Sequence, residues 1–405
     1  MSGFKLSTGA DLDTVFQPRT ATDPSAQYIA YTTSDGKSLS ERYLAYTTGT
    51  KVANTLYKVT DASGVVRDLS DYYSRVLTLG WSALSGGLNS VVYAISAVKG
   101  TSNVYVGGNF TTPSNCVARW DGTNWNAMEG GASGQGTITT VESIYALDAS
   151  NVYMGGYFST AGSVSAINVA RWDGTKWNAM GDGTNINTKT IHALDANNVY
   201  AGGDFTTAGG ITVNRIARWD GTKWNQMGNG FSNRVNAVYA LSVSNVYVGG
   251  SFTISGGAPG NRIARWNGSG WSAFGGGLDN EVNAIYALDA NNIYVGGYFT
   301  SYIIRWDGTN WKAMGTTGLN GAVWDIYAVD TSNVYVVGEF TTAGGITVNR
   351  IAKWNGSGWS ALVGGGFASN PGTISATNAT NIYVGGGFTT AGSVSALRVA
   401  KWGYS

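Results

Sequence analysis

The sequence NIYVGGYFTSYIIRWDGTNWKAM, residues 292–314, decides the fold of this chain of 405 residues. Runs of β-branched and aromatic residues on both sides of the loop at 300–302 are typical of strands, and Asp307-Gly308 is a strong tight-turn signal. A further apolar run, 282–288, precedes the quoted stretch. The unit therefore predicts four short antiparallel strands.

Two motifs of this unit recur along the chain. The first, of the type NVYVGGNF, occurs seven times, beginning at residues 103, 151, 198, 245, 292, 333 and 381. The second, of the type ARWDGTNW, follows each copy, and its first tryptophan is Trp120, Trp172, Trp219, Trp266, Trp306, Trp354 and Trp402. Successive tryptophans are 40 to 52 residues apart, a period typical of propeller blades.

The two ends of the repeat region complement each other. The seventh unit stops before its fourth strand, whereas an isolated copy of that strand, Trp81-Ser82-Ala83-Leu84, precedes the first unit. Pairing the two would close a ring and remove its exposed edges. The sequence therefore predicts an all-β protein, with a seven-bladed β-propeller of four-stranded blades over residues 77–405. Residues 1–76 lack the repeat and predict a small β-rich anchoring module.

The motif order resembles known repeat families. Tyr-Val-Gly-Gly, a loop, Arg-Trp and then Trp-x-x-Met is similar to the kelch and galactose-oxidase-like propellers, and to fungal cortical-marker and bacterial surface repeats. This resemblance covers about four-fifths of the chain and implies the fold rather than one activity, since propellers host many functions. The start of the chain, 3–16, loosely resembles structural proteins of phages and large DNA viruses.

Composition excludes several classes of function. Only 12% of the residues are charged and the formal net charge is +1, which argues against a nucleic-acid partner. A single cysteine, Cys116, cannot form an internal disulfide, and one histidine, His192, cannot build a usual zinc or copper cluster. No apolar stretch is long enough for a membrane span. We therefore predict a protein that is not an enzyme, without catalytic residues, metal or cofactor.

Two repeated features are interpreted as structural. The Asp-Gly-Thr turns match hairpin turns better than the Asp boxes of sialidases. His192 occupies a tyrosine position of the first strand, so we expect it to pack rather than to react. The residues aligned with it are Tyr93, Tyr145, Tyr239, Tyr286 and Tyr327.

Departures from the repeat indicate the candidate binding residues. Trp324 and Asp325 enter the first strand of blade 6, which places Trp324 near the channel mouth, where it would stack on a sugar or anchor a partner. The residues aligned with this insertion are Ser90, Glu142, Lys189, Asn236, Asn283 and Gly372. The structural alternative is that Trp324 fills the channel or a blade interface.

Three further candidates lie on or near the loop face. Tyr302 ends the shortened loop of blade 5, which makes a notch. Glu339 and Asp204 replace uncharged residues after the glycine pair of blades 6 and 3. These two acids lie about half a ring apart, too far for the carboxylate pair of a glycosidase.

The leading hypothesis for function is a virion structural or appendage protein. A surface rich in Asn, Thr, Ser and Gly, without an apolar signal segment at 1–5, favours a protein assembled in the host cytoplasm and released in a particle. Residues 1–76 would dock to capsid or other virion proteins, and the propeller would bind a host surface glycan, a receptor or a neighbouring capsid protein. The alternatives are a cytoplasmic kelch-like interaction scaffold and a carbohydrate-binding lectin propeller, with an enzyme last.

Overall fold

The structure is a computed structural model that describes residues 79–134 and 139–404. It also describes the backbone of five short strands before them: Lys5–Leu6, Gln27–Ile29, Tyr43–Ala45, Lys58–Thr60 and Val66–Asp68. These strands form two small antiparallel sheets. Contacts divide the chain into two units, Met1–Thr78 with Tyr404–Ser405, and Leu79–Gly403. The rest of the predicted module at 1–76 lies outside the described residues.

The second unit contains seven antiparallel sheets of four strands each, numbered here as blades 1 to 7. The first strands are Val92–Ala97, Thr140–Asp148, Thr188–Asp195, Val235–Ser242, Val282–Asp289, Val323–Asp330 and Pro371–Asn378. The second strands are Val104–Gly108, Asn151–Tyr157, Asn198–Gly203, Asn245–Gly250, Asn292–Gly297, Asn333–Gly338 and Asn381–Gly386.

The outer half of each blade comes from the tryptophan motif. The third strands are Val117–Trp120, Val169–Trp172, Ile216–Trp219, Ile263–Trp266, Ile303–Trp306, Ile351–Trp354 and Val399–Tyr404. The fourth strands of blades 1 to 6 are Trp125–Ala127, Trp177–Ala179, Trp224–Gln226, Trp271–Ala273, Trp311–Ala313 and Trp359–Ser360.

The fourth strand of blade 7 comes from the start of the propeller. Leu79–Ala83 pairs beside Val399–Tyr404, and the first strand of blade 7 contacts the first strand of blade 1. Trp81 is 6% exposed, and its Nε1 donates to the carbonyl of Gly365 at 2.8 Å. The predicted seven-bladed, strand-closed propeller is therefore confirmed.

The repeated glycine pair allows close packing both between neighbouring blades and within one blade. A Cβ at Gly296 would overlap the side chain of Val323 in the next blade, and a Cβ at Gly297 would overlap the carbonyl of Glu281. Val323 is fully buried at this contact. Glycine therefore serves close packing at these positions.

The paired tryptophans join the outer strands to the preceding blade. Trp306 and Trp311 pack edge to face with ring centroids 5.2 Å apart. The indole Nε1 of Trp311 donates to the carbonyl of Gly275, 2.9 Å away, in the loop that follows blade 4. Packing of the indoles and this inter-blade hydrogen bond both hold the blades together.

The Asp-Gly-Thr turns are hairpin turns stabilised by their own carboxylates. Asp307 Oδ1 accepts hydrogen bonds from the backbone N–H groups of Thr309 and Asn310, at 2.9 and 2.8 Å. These bonds lower the pKa of Asp307 to about 2. The geometry agrees with the interpretation of these turns as structural.

Loops between the second and third strands carry an extra short hairpin in blades 2, 3, 4, 6 and 7. The paired segments are Thr160–Ala161 with Val164–Ser165, Thr207–Ala208 with Ile211–Thr212, Ile254–Ser255 with Ala258–Pro259, Thr342–Ala343 with Ile346–Thr347, and Thr390–Ala391 with Val394–Ser395. In blade 2 a further strand, Ala132–Ser133, joins this hairpin. Blade 5 connects its second and third strands through residues 298–302 alone, and carries no extra hairpin there.

Candidate functional site

The first strands of the seven blades surround a central channel. A cavity of about 540 Å³ occupies the channel. Along the first strand of blade 1 it extends from Tyr93, near the start of the strand, to Lys99, just past its end. Within 79–134 and 139–404, no group of three or more His, Cys, Asp or Glu residues is arranged to hold a metal ion. The same residues include no helix of the length and hydrophobicity needed to cross a membrane.

An aromatic belt crosses the middle of the channel. Each blade contributes one residue, which gives the set Ser96, Tyr145, His192, Tyr239, Tyr286, Tyr327 and Ser375. Ring centroids of successive aromatic members lie 4.4 to 5.0 Å apart. The two serines interrupt this belt at blades 7 and 1.

His192 is a packed member of the belt. Its ring lies between Tyr145 and Tyr239, and Nδ1 accepts a long hydrogen bond of 3.4 Å from the N–H of Ala240. Burial lowers the pKa of His192 to about 3, so the ring is neutral at physiological pH. This geometry supports the structural role expected from the sequence.

The pairing register corrects the alignment of blade 1. Ser96 lies opposite Tyr105, just as Tyr145 lies opposite Tyr153, so Ser96 and not Tyr93 is the counterpart of His192. The expected equivalence of Ser90 with Glu142 is wrong for the same reason. The sequence alignment matched tyrosine to tyrosine, whereas blade 1 carries a serine in this register. Its first two strands are also separated by one more residue, with nine positions from Ser96 to Tyr105 against eight from Tyr145 to Tyr153.

The bulge residues form the rim of the channel. In each blade one residue lies between two paired positions, as Trp324 does between Val323 and Asp325. This set, called the mouth ring, comprises Tyr93, Glu142, Lys189, Asn236, Asn283, Trp324 and Gly372. A bulge directs the extra side chain away from the regular alternation, which explains why the mouth ring differs most between blades.

Trp324 is a half-buried member of the mouth ring. Its ring packs edge to face on Tyr298 of blade 5, with centroids 5.4 Å apart. It lines the channel cavity and also a second depression of about 620 Å³ on the same rim. The structure therefore places Trp324 at the channel mouth, as expected.

Asp325 joins blade 6 to blade 7. Its Oδ2 accepts hydrogen bonds from the Thr373 hydroxyl at 3.0 Å and from the Ile374 N–H at 2.9 Å. Its Oδ1 accepts a third bond from the Ile326 N–H. Burial nevertheless raises the pKa of Asp325 to about 6, because desolvation outweighs these bonds.

The remaining sequence-predicted residues lie outside the two cavities. Asp204 forms an ion pair with Arg234 at 2.8 Å. The N–H of Glu339 donates to the carbonyl of Ala322. Burial, and after it the charge of Glu339, raise the pKa of Tyr298. The structure thus brings Trp324 and Asp325 together, and does not bring Asp204 or Glu339 to the same cavities.

Tyr302 has a local structural role. It adopts a left-handed backbone with φ of 57°, and its N–H donates to the carbonyl of Phe299. The corresponding residue in blade 3, Arg215, is also left-handed and makes the same type of backbone bond. Tyr302 packs, half-buried, on the core between blades 5 and 6.

The sequence analysis missed the depression over blade 7. We call it the mouth groove and define it by Tyr93, Glu142, Lys189, Trp324, Gly372 and Gly387. Blade 7 has glycine both in the mouth ring and after its glycine pair, where the other six blades carry side chains at both positions. The aligned repeats do show that blade 7 lacks side chains at these two positions. The groove itself becomes recognisable only when the closed ring brings the other residues beside them.

The sequence of the chain matches a known family of propellers. A sequence profile described as "Rax2 C-terminal beta propeller domain" matches residues 75–233 and 178–323. The chain belongs to the Rax2 C-terminal β-propeller family. This match and the fold confirm the propeller, whereas the kelch-type and viral resemblances are not confirmed. No curated protein sequence matches this Rax2-family chain.

Solved structures of several propellers share the fold of this Rax2-family chain. The WD40 β-propeller domain of Doa1 has a TM-score of 0.54 at 14% identity, covering 80% of this chain and 96% of that one. U3-55K has a TM-score of 0.57 at 11% identity, covering 80% and 98%. A structure of YCF48 bound to D1 peptide has a TM-score of 0.52 at 12% identity, covering 81% and 100%. At such identities the likeness concerns the fold.

Proposed function

We propose that this propeller is a non-enzymatic protein-interaction scaffold and that it binds a segment of a partner protein in the mouth groove, with Trp324 as the anchor. The observation that carries the proposal is the combination of Trp324 and Tyr93 with an open strip of backbone at Gly372 and Gly387. Buried aromatic anchors provide much of the binding energy at protein interfaces.

The kind of occupant follows from the shape and chemistry of the groove. Its surface is mainly apolar, and it continues into the channel cavity beside Trp324. An extended segment can lie on such a surface while one side chain enters the cavity. YCF48, whose fold is similar, has a structure with D1 peptide bound, and this supports a peptide as occupant.

A role in a virion would be a more specific version of this scaffold function. In it the partner would be a capsid or other virion protein, residues 1–76 would hold the propeller on the particle, and the chain would be located in the virion. Its support is the surface composition and the N-terminal sequence. Sedimentation of source material tests it, because the chain should then travel with a large particle at fixed stoichiometry and resist release by salt.

Affinity capture with matched variants tests the scaffold itself. Wild-type chain, Trp324→Ala and Gly372→Asn would be immobilised and exposed to source extract, with Ile211→Ser as control, since Ile211 is exposed on the extra hairpin of blade 3. We expect a protein that binds wild type and the control and is lost from both groove variants. An unchanged set of bound proteins in all four samples would reject the mouth groove as the binding site.

A further inference from the structure

The floor of the mouth groove contains two glycines that the fold does not require. Neither Gly372 nor Gly387 has a positive φ, and a Cβ at either would meet no atom closer than 3.8 Å. Gly386 between them is different, because its Cβ would come within 2.6 Å of the carbonyl oxygen of Asn370. The bare backbone at Gly372 and Gly387 therefore serves the open groove and not the packing of blade 7.

Gly372 also lacks the side-chain donor that two other mouth-ring residues direct to the next blade. In blades 4 and 5 the mouth-ring asparagines donate to the next blade, from Asn236 Nδ2 to the Val282 carbonyl at 3.1 Å and from Asn283 Nδ2 to the Val323 carbonyl at 3.0 Å. The matching carbonyl beside blade 7 belongs to Val92 and lies 3.8 Å from the position of a Cβ on Gly372. Val92 is fully buried, so the glycine leaves open the space of the missing side chain and not this carbonyl.

The link that Asp325 makes between blades 6 and 7 does not require a charged side chain. Ser143 and Thr190 occupy the same position in blades 2 and 3, and their hydroxyl oxygens accept the equivalent inter-blade bonds from the N–H groups of Ile191 and Val238. A neutral hydroxyl is therefore enough to join two blades. The Asp325 carboxylate has no Lys or Arg within ion-pair distance among residues 79–134 and 139–404.

The other charged groups near the groove do not neutralise Asp325. Lys189 forms an ion pair of 2.5 Å with Glu142, which also accepts from the Asn187 side chain. Lys99 lies at the opposite end of the channel cavity. His192 is neutral, and burial raises the pKa values of Tyr239, Tyr286 and Tyr327 above their ordinary range, so these rings carry no charge near neutral pH.

We propose that the mouth groove binds an arginine or lysine side chain of the partner, with the cation directed between Trp324 and Tyr93 toward the Asp325 carboxylate. This inference rests on the proposed function, since it names the side chain that enters the groove. Aromatic faces attract cations, and an unpaired carboxylate in a partly desolvated cavity provides the complementary charge. A basic side chain also supplies only donors, which match the acceptors found here.

A peptide selection tests this inference separately from the proposed function. A display library of random dodecapeptides would be selected on the full wild-type chain and counter-selected on Gly372→Asn, whose side chain reproduces Asn236 and Asn283 of blades 4 and 5. Enriched peptides would then be synthesised with each basic residue replaced by citrulline or norleucine. We expect one basic residue in all of them, and at least a tenfold loss of affinity when it is neutralised.

The variant Asp325→Ser tests whether the carboxylate itself is needed for binding. It removes the charge but, like Ser143 in blade 2, keeps a hydroxyl oxygen that can accept the inter-blade hydrogen bond. On this variant we expect the charged peptide to bind about as weakly as its neutral analogue binds wild type. Groove-dependent peptides without a basic residue would overturn the cation proposal and leave the scaffold intact. Failure to enrich any groove-dependent peptide, or glycan binding that Gly372→Asn abolishes, would overturn both.

Discussion

The carboxylate of Asp325 accepts a hydrogen bond of 3.0 Å from the hydroxyl of Thr373 and so links blade 6 to blade 7 directly beneath the mouth groove. Elsewhere in the ring a serine or threonine makes this kind of link. The difference places a desolvated charge on blade 6, beside the blade whose rim has glycine at both positions. This charge and three other features of the propeller lead to measurable effects on stability.

The first prediction concerns the cost of the Asp325 charge. The pKa of Asp325 is raised from 3.8 to about 6 in the folded chain, so the folded state binds a proton more tightly than the unfolded state. Tighter proton binding therefore stabilises the folded state, and this stabilisation is fully present below about pH 4. It is on the order of 2 kcal/mol and is lost as the pH rises through about 6.

Asp325→Ser should remove this pH dependence. We expect the variant to gain stability relative to wild type between pH 4 and pH 7.5, measured by urea unfolding at both values. Thr190→Ser is the control for a change at the same position of another blade. An identical difference between Asp325→Ser and wild type at the two pH values would contradict the prediction.

The second prediction has the opposite sign and concerns His192. Its pKa is lowered from 6.5 to about 3, so the unfolded state binds the proton more tightly. Stability is therefore complete above about pH 6.5 and is lost as pH falls toward 3. His192→Tyr restores the belt residue of blades 2, 4, 5 and 6, and should reduce the loss of stability between pH 7 and pH 4.5 by about 2 kcal/mol. Equal acid sensitivity of both chains, measured by thermal unfolding, would show that His192 does not carry this effect.

The third prediction concerns closure of the ring by Trp81. Its indole packs on Phe367 with centroids 4.8 Å apart and donates to the Gly365 carbonyl. Trp81→Ala should lower the free energy of unfolding by about 3–5 kcal/mol, because a buried indole and its hydrogen bond are lost together. Ser82→Ala, which removes only the weak bond to the Lys401 carbonyl at 3.3 Å, should cost far less. Comparable melting temperatures for these two variants would argue against closure by this strand.

The fourth prediction separates the two kinds of glycine in blade 7. Gly372→Asn should leave the melting temperature within about 2 °C of wild type, since its Cβ enters open space. Gly386→Asn should destabilise the chain strongly, because its Cβ would press on the backbone of Asn370 and Pro371. Equal destabilisation by both would mean that Gly372 is needed for packing, and the argument for an open groove would then fail.

The blades were predictable from the sequence because one repeat carries its own strands, turns and tryptophan pair. The closing strand was predictable from Trp81, and the place of Trp324 at the rim from its departure from the repeat. Tyr93 was misaligned because blade 1 has Ser96 at the belt position and one more residue between its first two strands, so matching tyrosine to tyrosine shifted the register. Gly372 was overlooked because it contributes to the groove only by lacking a side chain. The residues that line the groove around it come together only in the closed ring.

Site-specific photo-crosslinking at Tyr93 tests the central claim most directly. The full chain with p-benzoylphenylalanine in place of Tyr93 would be irradiated in source extract, beside the same chain carrying Gly372→Asn and a control with the probe in place of Ile211. The account predicts an adduct with a defined partner protein that forms only from position 93 and disappears with Gly372→Asn. No adduct, or an adduct that persists with Gly372→Asn, would contradict binding in the mouth groove.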